Sequence, residues 1–273
     1  MAMELFHTPE GVRDIYDKEC ARKLTVQREI GRVFHQYGYE DIETPAFEFF
    51  DIFAKERGSV TSREMFKFFD RDNNTLVLRP DMTPAIARCV GKYFMEERMP
   101  VRLCYWGKTF TNNTSYQGRL KEITQTGVEL IGDDSSAADG EMIAMVIEAL
   151  KAAGLKEFQV ELGQVEFFKG LAEEAGMEEE TQETLRTLIE NKNYFGVEEL
   201  VSESPMPQQL KELFLKLPEL FGTLEQMRRV KGLVHNERSL KAIERLERVQ
   251  EILKTYGMAE YVSYDLGMLS KYQ

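Results

Sequence analysis

A strand predicted from Leu120 to Ile131 carries polar side chains where a core strand would carry apolar ones. Side chains alternate between the two faces of a strand, so Gln125, Gly127 and Glu129 share one face. Such a face suits the floor of a binding pocket. Glycine lets a ligand approach, a carboxylate accepts from an ammonium group, and an amide both donates and accepts. An edge strand with one solvated face explains the same pattern equally well.

Two other segments offer polar groups to the same candidate site. Residues 79–84 precede a stretch of helical periodicity, and Asp81 and Thr83 fall where that helix would begin. Taken alone, N-capping by Thr83 is the simpler explanation of these two residues. The loop 112–119 is polar and includes Arg119, a possible anion contact, although a solvated turn would have the same composition.

Periodicity and turn residues predict the elements that would hold these groups. The predicted helices cover 14–37, 83–99 and 136–154, and the predicted strands cover 64–69, 75–78, 101–111, 120–131 and 158–162. After Gly163 the pattern becomes helical until about Tyr256. We therefore predict a sheet domain over 1–165, a helical insertion over 166–260, and a return to the sheet over 261–273.

Composition restricts the classes of partner and of site. The net charge of −12 counts against tRNA or any other polyphosphate as the main ligand. Cysteines and histidines are widely separated, which predicts reduced thiols and no metal site. They are Cys20, Cys89, Cys104, His7, His35 and His235. No apolar run reaches about 18 residues and no secretory signal is visible, so we expect no membrane span and a cytoplasmic location.

Four stretches of the sequence match known motifs. Residues 7–14 read HTPEGVRD, residues 38–45 read GYEDIETP, residues 79–83 read RPDMT, and residues 102–132 include QTGVE. Together they resemble the histidyl members of the class II aminoacyl-tRNA synthetases over residues 4–165. The resemblance implies an α+β fold, in which a mostly antiparallel sheet is flanked by helices and carries a helical insertion.

The resemblance also assigns a ligand to the polar face. In that family the matching segments hold the amino acid, so it implies that Asp81, Thr83, Gln125 and Glu129 cradle histidine. Asp81 or Glu129 would take the α-ammonium group, and Arg119 joins the predicted set as an anion contact. The first motif implies a homodimer formed around residues 38–53. Candidate interface residues there are aromatic: Phe47, Phe49, Phe50 and Phe53.

One departure from the family decides the expected chemistry. The family's Phe-Arg-x-Glu pattern places an Arg on the ATP α-phosphate, but here Thr111 and Asn113 replace the Arg and the Glu. Threonine lacks the charged, bidentate fork, and losing such a preorganised group costs about 3–4 kcal/mol of transition-state stabilisation. We therefore predict no catalytic residues, no cofactor and no adenylate chemistry. The chain also stops before the family's third motif and anticodon-binding domain, so we expect a truncated chain.

Three functions fit these expectations. The first is a non-catalytic relative of the synthetases that regulates ATP phosphoribosyltransferase. It would bind free histidine as an effector and activate the short-form catalytic subunit, for feedback control of histidine biosynthesis. The second is a histidyl-tRNA synthetase or a fragment of one, and the third is a synthetase-like adaptor with another partner. Thr111, Asn113, the negative charge and Asp81, where the family has Glu, favour the first.

Overall fold

The computed structural model describes residues 6–54, 60–96, 98–113 and 118–269. The chain divides into two compact units, the first mainly Met1–Asp133 and the second Asp134–Lys151 with Leu155–Lys271. Elements of the first unit are α1 (Asp17–Gln36), β1 (Glu40–Asp41), β2 (Phe47–Phe49), β3 (Lys67–Phe69), β4 (Thr75–Leu78), α2 (Thr83–Tyr93), β5 (Val101–Phe110) and β6 (Glu122–Ile131). Short 3-10 turns cover Phe50–Ile52 and Ser62–Glu64.

Two three-stranded sheets form the first unit. β5 lies at the centre of one sheet, parallel to β1 and antiparallel to β6, and β4 lies at the centre of the other, antiparallel to β2 and β3. α2 packs against β5 through a small apolar core that contains Met82, Ile86, Val90, Leu103 and Tyr105. This packing fixes the start of α2 over the β5–β6 hairpin.

α1 ends where the sequence predicts. Tyr37 caps the helix, and Gly38 follows in the left-handed conformation with φ of 79°. Glycine adopts that conformation without the steric cost of a Cβ. The turn delivers the chain directly into β1, so the end of α1 and the edge of the first sheet are held together.

The second unit is mainly helical. Its elements are α3 (Ser136–Ala152), β7 (Val160–Leu162), α4 (Val165–Glu174), α5 (Glu179–Glu190), α6 (Tyr194–Glu203), α7 (Gln208–Lys216), β8 (Phe221–Gly222), α8 (Leu224–Lys231), α9 (Glu237–Thr255) and β9 (Val262–Asp265). β9 pairs with β7 in parallel and with β8 antiparallel. Across the described residues, every helix is too short or too polar to cross a membrane.

The two compact units do not divide at the boundary drawn from the sequence. α3 precedes residue 165, yet its Ala144 and Ile147 are buried in the same apolar core as Phe167 and Leu171 of α4. Sequence pattern marks where helical character begins, whereas the compact units follow shared burial. The insertion boundary at 165 stays a prediction about the family's architecture.

Candidate functional site

The β5–β6 hairpin forms the floor of the candidate site. Its register sets Leu103 opposite Glu129, Tyr105 opposite Gly127, and Gly107 opposite Gln125. Directly opposed residues of an antiparallel pair project from the same face. The shared face predicted for β6 is therefore continued across β5.

The segment that leads into α2 covers part of this floor. Met82 is buried, and a Cβ placed on Gly107 would lie 2.4 Å from Met82 Sδ. The backbone N–H of Met82 donates to Gln125 Oε1 at 3.2 Å. Gly107 thus permits the close approach that brings residues 81–83 onto β6.

Four of the five residues predicted to hold histidine lie together here. Gln125 Nε2 donates to Asp81 Oδ1 at 3.0 Å, and Thr83 Oγ1 donates to Glu129 Oε1 at 2.7 Å. The Thr83 backbone N–H also donates to Asp81 Oδ1 at 3.3 Å. Both Gln125 and Glu129 of β6 are therefore joined to the start of α2 by side-chain hydrogen bonds.

These contacts correct the capping interpretation of Thr83. α2 begins at Thr83 itself after Met82, which makes no side-chain cap, and the Thr83 hydroxyl donates to Glu129 instead. Asp81 partly takes the capping role by accepting the Thr83 N–H. The hydroxyl thus orients a carboxylate of the candidate site.

Two carboxylates give the site its electrostatic character. Burial raises the pKa of Glu129, with a further contribution from nearby Asp81, while the hydrogen bond from Thr83 opposes the shift. Within the described ranges, neither Asp81 nor Glu129 forms an ion pair with Lys, Arg or His. A partly buried carboxylate beside a second acid, with no cation paired to either, favours a ligand that brings positive charge, such as an ammonium group.

Tyr105 is a residue of the site that the sequence analysis missed. It is 5% exposed, and burial followed by the charge of Glu129 raises its pKa to about 12. A Cβ on Gly127 would lie 2.5 Å from the Tyr105 hydroxyl, so this ring fills the space that we expected a ligand to use. The hairpin register was the available signal, because it sets Tyr105 directly across from Gly127.

Arg79 anchors the segment that carries Asp81 and Thr83. Its side chain is buried and donates to the carbonyl oxygens of Lys108 at 2.8 Å, Thr44 at 2.6 Å and Pro45 at 3.1 Å. Burial lowers its pKa, with Glu43 and Glu48 opposing that effect. A planar guanidinium matches such a spread of acceptors better than a lysine ammonium does. Arg79 is therefore a positioning residue.

Arg119 does not join the other four residues. It is exposed, and within the described contacts no hydrogen bond links it to Asp81, Thr83, Gln125 or Glu129. Residues 114–117 of the loop predicted to carry it lie outside the described residues. Its role as an anion contact stays a prediction.

The opposite end of the hairpin is where the synthetases would place their phosphate clamp. The Thr111 backbone N–H donates to the carbonyl of Lys121 at 2.9 Å, which extends the hairpin by one bond. The side-chain oxygen of Asn113 is buried with no hydrogen-bond partner among the described residues. Lys108, near the end of β5, forms an ion pair with Glu122 at the start of the neighbouring strand β6. These groups offer no charged fork at position 111.

Comparison with known proteins identifies the family. Residues 11–273 match the family model described as histidyl-tRNA synthetase. An ATP phosphoribosyltransferase regulatory subunit from Acetivibrio thermocellus is 46% identical over 98% of this chain and 64% of that relative. Another, from Thermoanaerobacter pseudethanolicus, is 37% identical over 97% of this chain and 69% of its own length. The chain belongs to the histidyl-tRNA synthetase family, and these two relatives within it are described as ATP phosphoribosyltransferase regulatory subunits.

Solved structures agree with this family. A protein from Bacillus halodurans, described as an ATP phosphoribosyltransferase regulatory subunit/histidyl-tRNA synthetase, matches with a TM-score of 0.89 at 34% identity. The match covers 97% of this chain and 69% of that one. Histidyl-tRNA synthetase from Nostoc shares the fold, with a TM-score of 0.81 at 18% identity over 98% of this chain and 62% of that one. The predicted class II synthetase-like α+β fold is confirmed, in a chain that spans 64% of the Acetivibrio relative.

Proposed function

We propose that this protein acts as the histidine-sensing regulatory subunit of an ATP phosphoribosyltransferase. One observation carries the proposal: where the synthetases bind the amino acid, the site keeps two carboxylates that are hydrogen-bonded but form no ion pair among the described residues, and Thr111 stands where the synthetases clamp ATP. A pocket that binds an amino acid and cannot activate it is suited to sensing.

Histidine is the ligand that the family resemblance assigns to this pocket. Its α-ammonium group would approach Asp81 and Glu129. Thr83 donates a hydrogen bond to each of these carboxylates, through its backbone N–H and its hydroxyl respectively. An ammonium compensates the desolvation cost of the buried carboxylate, so its binding recovers free energy that the free protein lacks. Gln125 orients Asp81 in the free protein, and its contact with the ligand remains part of the proposal.

The relatives support the choice of partner. The Acetivibrio and Thermoanaerobacter proteins are described as regulatory subunits of ATP phosphoribosyltransferase. By extension, this protein would bind the short-form catalytic subunit, activate it, and transmit inhibition when histidine is bound. Such feedback requires that histidine bind one state of the complex more tightly than another.

A homodimer through the first motif is the second part of the proposed assembly. β2 lies at one edge of its sheet, and Phe47 and Phe49 are 51% and 55% exposed. Phe68 of β3 makes an edge-to-face contact with Phe47, which extends the apolar surface. Phe53, in contrast, is buried in a core with Met65 and Val77. A second copy would cover the exposed aromatic residues.

The test is reconstitution with the short-form catalytic subunit. The mixture should form phosphoribosyl-ATP faster than the catalytic subunit alone, and added histidine should inhibit it. The variant Glu129→Gln separates activation from sensing, because it keeps an acceptor for the Thr83 hydroxyl but removes the negative charge. It should still activate the catalytic subunit while losing histidine inhibition.

Two other outcomes would redirect the assignment. If the two proteins elute separately and the rate is unchanged, the chain is a synthetase-like adaptor with another partner. If the chain alone supports histidine-dependent exchange between ATP and pyrophosphate, it is a histidyl-tRNA synthetase or a fragment of one. In either case the regulatory proposal fails.

A further inference from the structure

Three potential metal ligands meet at the end of α1, away from the β6 face. His35 Nε2 lies 3.0 Å from Asp41 Oδ2, and the Cys104 thiol donates to Asp41 Oδ1 at 3.4 Å. The ligand atoms of all three residues lie within 4.8 Å of one another. Histidines and cysteines are far apart along the chain, which predicted no metal site, but the fold brings these three side chains together.

Backbone structure holds the three residues in place. Asp41 and Cys104 are register partners in the parallel pair β1–β5, and the Ile42 N–H donates to the Cys104 carbonyl at 2.9 Å. His35 lies in the last turn of α1, where its carbonyl accepts from the Gly38 N–H at 3.0 Å. Each ligand is thus fixed by regular structure on at least one side, so little ordering is required when an ion binds.

The donor set selects a class of ion. A thiolate, an imidazole and a carboxylate together are typical ligands of Zn²⁺ and of similar transition metals, whereas Mg²⁺ and Ca²⁺ prefer oxygen alone. Cys104 is 1% exposed, while the side chains of His35 and Asp41 are 52% and 72% exposed. Three protein ligands with one open side leave room for a bound water.

We propose that His35, Asp41 and Cys104 bind one divalent transition-metal ion of the zinc class. Cys104 binds as thiolate and releases its proton to solvent, and Asp41 binds through one carboxylate oxygen. His35 binds through Nε2, with its proton on Nδ1. The thiolate and the carboxylate then balance the charge of the ion. Bound metal would tie the end of α1 to β1 and β5.

The surroundings of Cys104 argue against a reactive cysteine as the reason for the cluster. Its side chain is 1% exposed. A nucleophilic or redox-sensing cysteine needs an accessible thiolate.

The test is titration of the chelator-treated protein with Co²⁺, followed by absorption spectroscopy and competition with Zn²⁺. One equivalent of Co²⁺ should give a thiolate-to-metal charge-transfer band in the near ultraviolet, and Zn²⁺ should displace it. Cys104→Ser should abolish the band. His35→Gln and Asp41→Asn should each weaken binding at least about 10- to 100-fold, the loss typical even of residues that only support a ligand.

Matched controls come from the same residue types elsewhere in the chain. Cys89→Ser removes a half-buried thiol and His7→Gln an exposed imidazole, and both should bind Co²⁺ like the parent. If Cys104→Ser does not fold, the variants at exposed His35 and Asp41 carry the test. Absence of the band at stoichiometric Co²⁺ would overturn the proposal. So would a band that survives both His35→Gln and Asp41→Asn.

Discussion

The two ends of the β5–β6 hairpin differ in the chemistry they keep. Toward one end, Gln125 and Glu129 are hydrogen-bonded to Asp81 and Thr83. At the other end, Thr111 continues the backbone ladder and presents no charged group to a phosphate. The same pair of strands would hold an amino acid at one end while leaving ATP without a clamp at the other.

In the proposed function, recognition and activation of an amino acid are separable on this fold. Recognition depends on carboxylates that are oriented before the ligand binds. Hydrogen bonds from Thr83 and Gln125 provide that orientation. Activation depends on a cation placed where negative charge grows in the transition state. We therefore expect that threonine in place of arginine at position 111 removes the second property and leaves the first, because no described hydrogen bond joins side chains from the two ends of the hairpin.

The largest expected effect comes from removing the side chain that anchors the segment carrying Asp81 and Thr83. Arg79→Met removes a buried guanidinium and leaves the carbonyls of Thr44, Pro45 and Lys108 without their donor. We expect the free energy of unfolding to fall by about 3–5 kcal/mol, measured by urea denaturation. Arg71→Met, at an exposed position in the β3–β4 turn, should change it by less than about 0.5 kcal/mol. Equal losses in both variants would refute the anchoring role.

The Thr111 end of the hairpin is tested by an assay for activation of histidine by ATP. Histidine-dependent exchange between ATP and pyrophosphate should stay at background, since absence of the arginine alone corresponds to a barrier increase of about 3–4 kcal/mol. A histidyl-tRNA synthetase assayed in parallel supplies the positive control. Exchange at the rate of that enzyme would mean that the two ends of the hairpin do not differ as described.

The packing of Tyr105 over Gly127 gives a smaller effect. Gly127→Ala places a methyl group against the Tyr105 hydroxyl and should lower the free energy of unfolding by about 1–3 kcal/mol. Gly91→Ala is the matched control, because its added Cβ meets nothing within 4 Å on α2. That variant should be more stable than the parent by about 0.5–1 kcal/mol. Thermal unfolding of both variants separates the steric effect from glycine replacement in general.

The pH dependence of stability tests the environment of Glu129 at the other end of the hairpin. Its pKa is raised in the folded protein by burial, so its stabilising contribution is complete below the ordinary pKa of 4.5 and is lost as pH rises through the raised value. Glu129→Gln should therefore be more stable than the parent at pH 7 in the absence of ligand. The difference in melting temperature should shrink as pH falls toward 4.5. A less stable variant at pH 7 would show that burial does not govern this carboxylate.

Much of the candidate site follows from strand alternation and from the family motifs. Gln125 and Glu129 lie on one face of β6, as predicted. Strand alternation predicts this because it does not depend on the rest of the fold. The hydroxyl of Thr83 could not be placed in the same way. Its sequence neighbours predict a helix cap, whereas its partner Glu129 lies on a strand far along the chain.

Other features depend on which strands pair, which local pattern does not encode. The ring of Tyr105 over Gly127 requires the β5–β6 register, and the cluster of His35, Asp41 and Cys104 requires the parallel pairing of β1 with β5. For the same reason, α3 groups with the helical unit by burial although it precedes the change in sequence pattern.

The central claim is that Glu129 belongs to a histidine-binding pocket, and calorimetric titration with free histidine tests it most directly. The parent protein should bind histidine, and Glu129→Gln should reduce the affinity at least about tenfold, since a desolvated carboxylate paired with an ammonium is worth more than about 1.4 kcal/mol. Glu122→Gln, on the opposite face of the same strand and paired with Lys108, is the matched control and should bind like the parent. Equal affinity of the parent and Glu129→Gln would contradict the account, as would the absence of histidine binding by the parent.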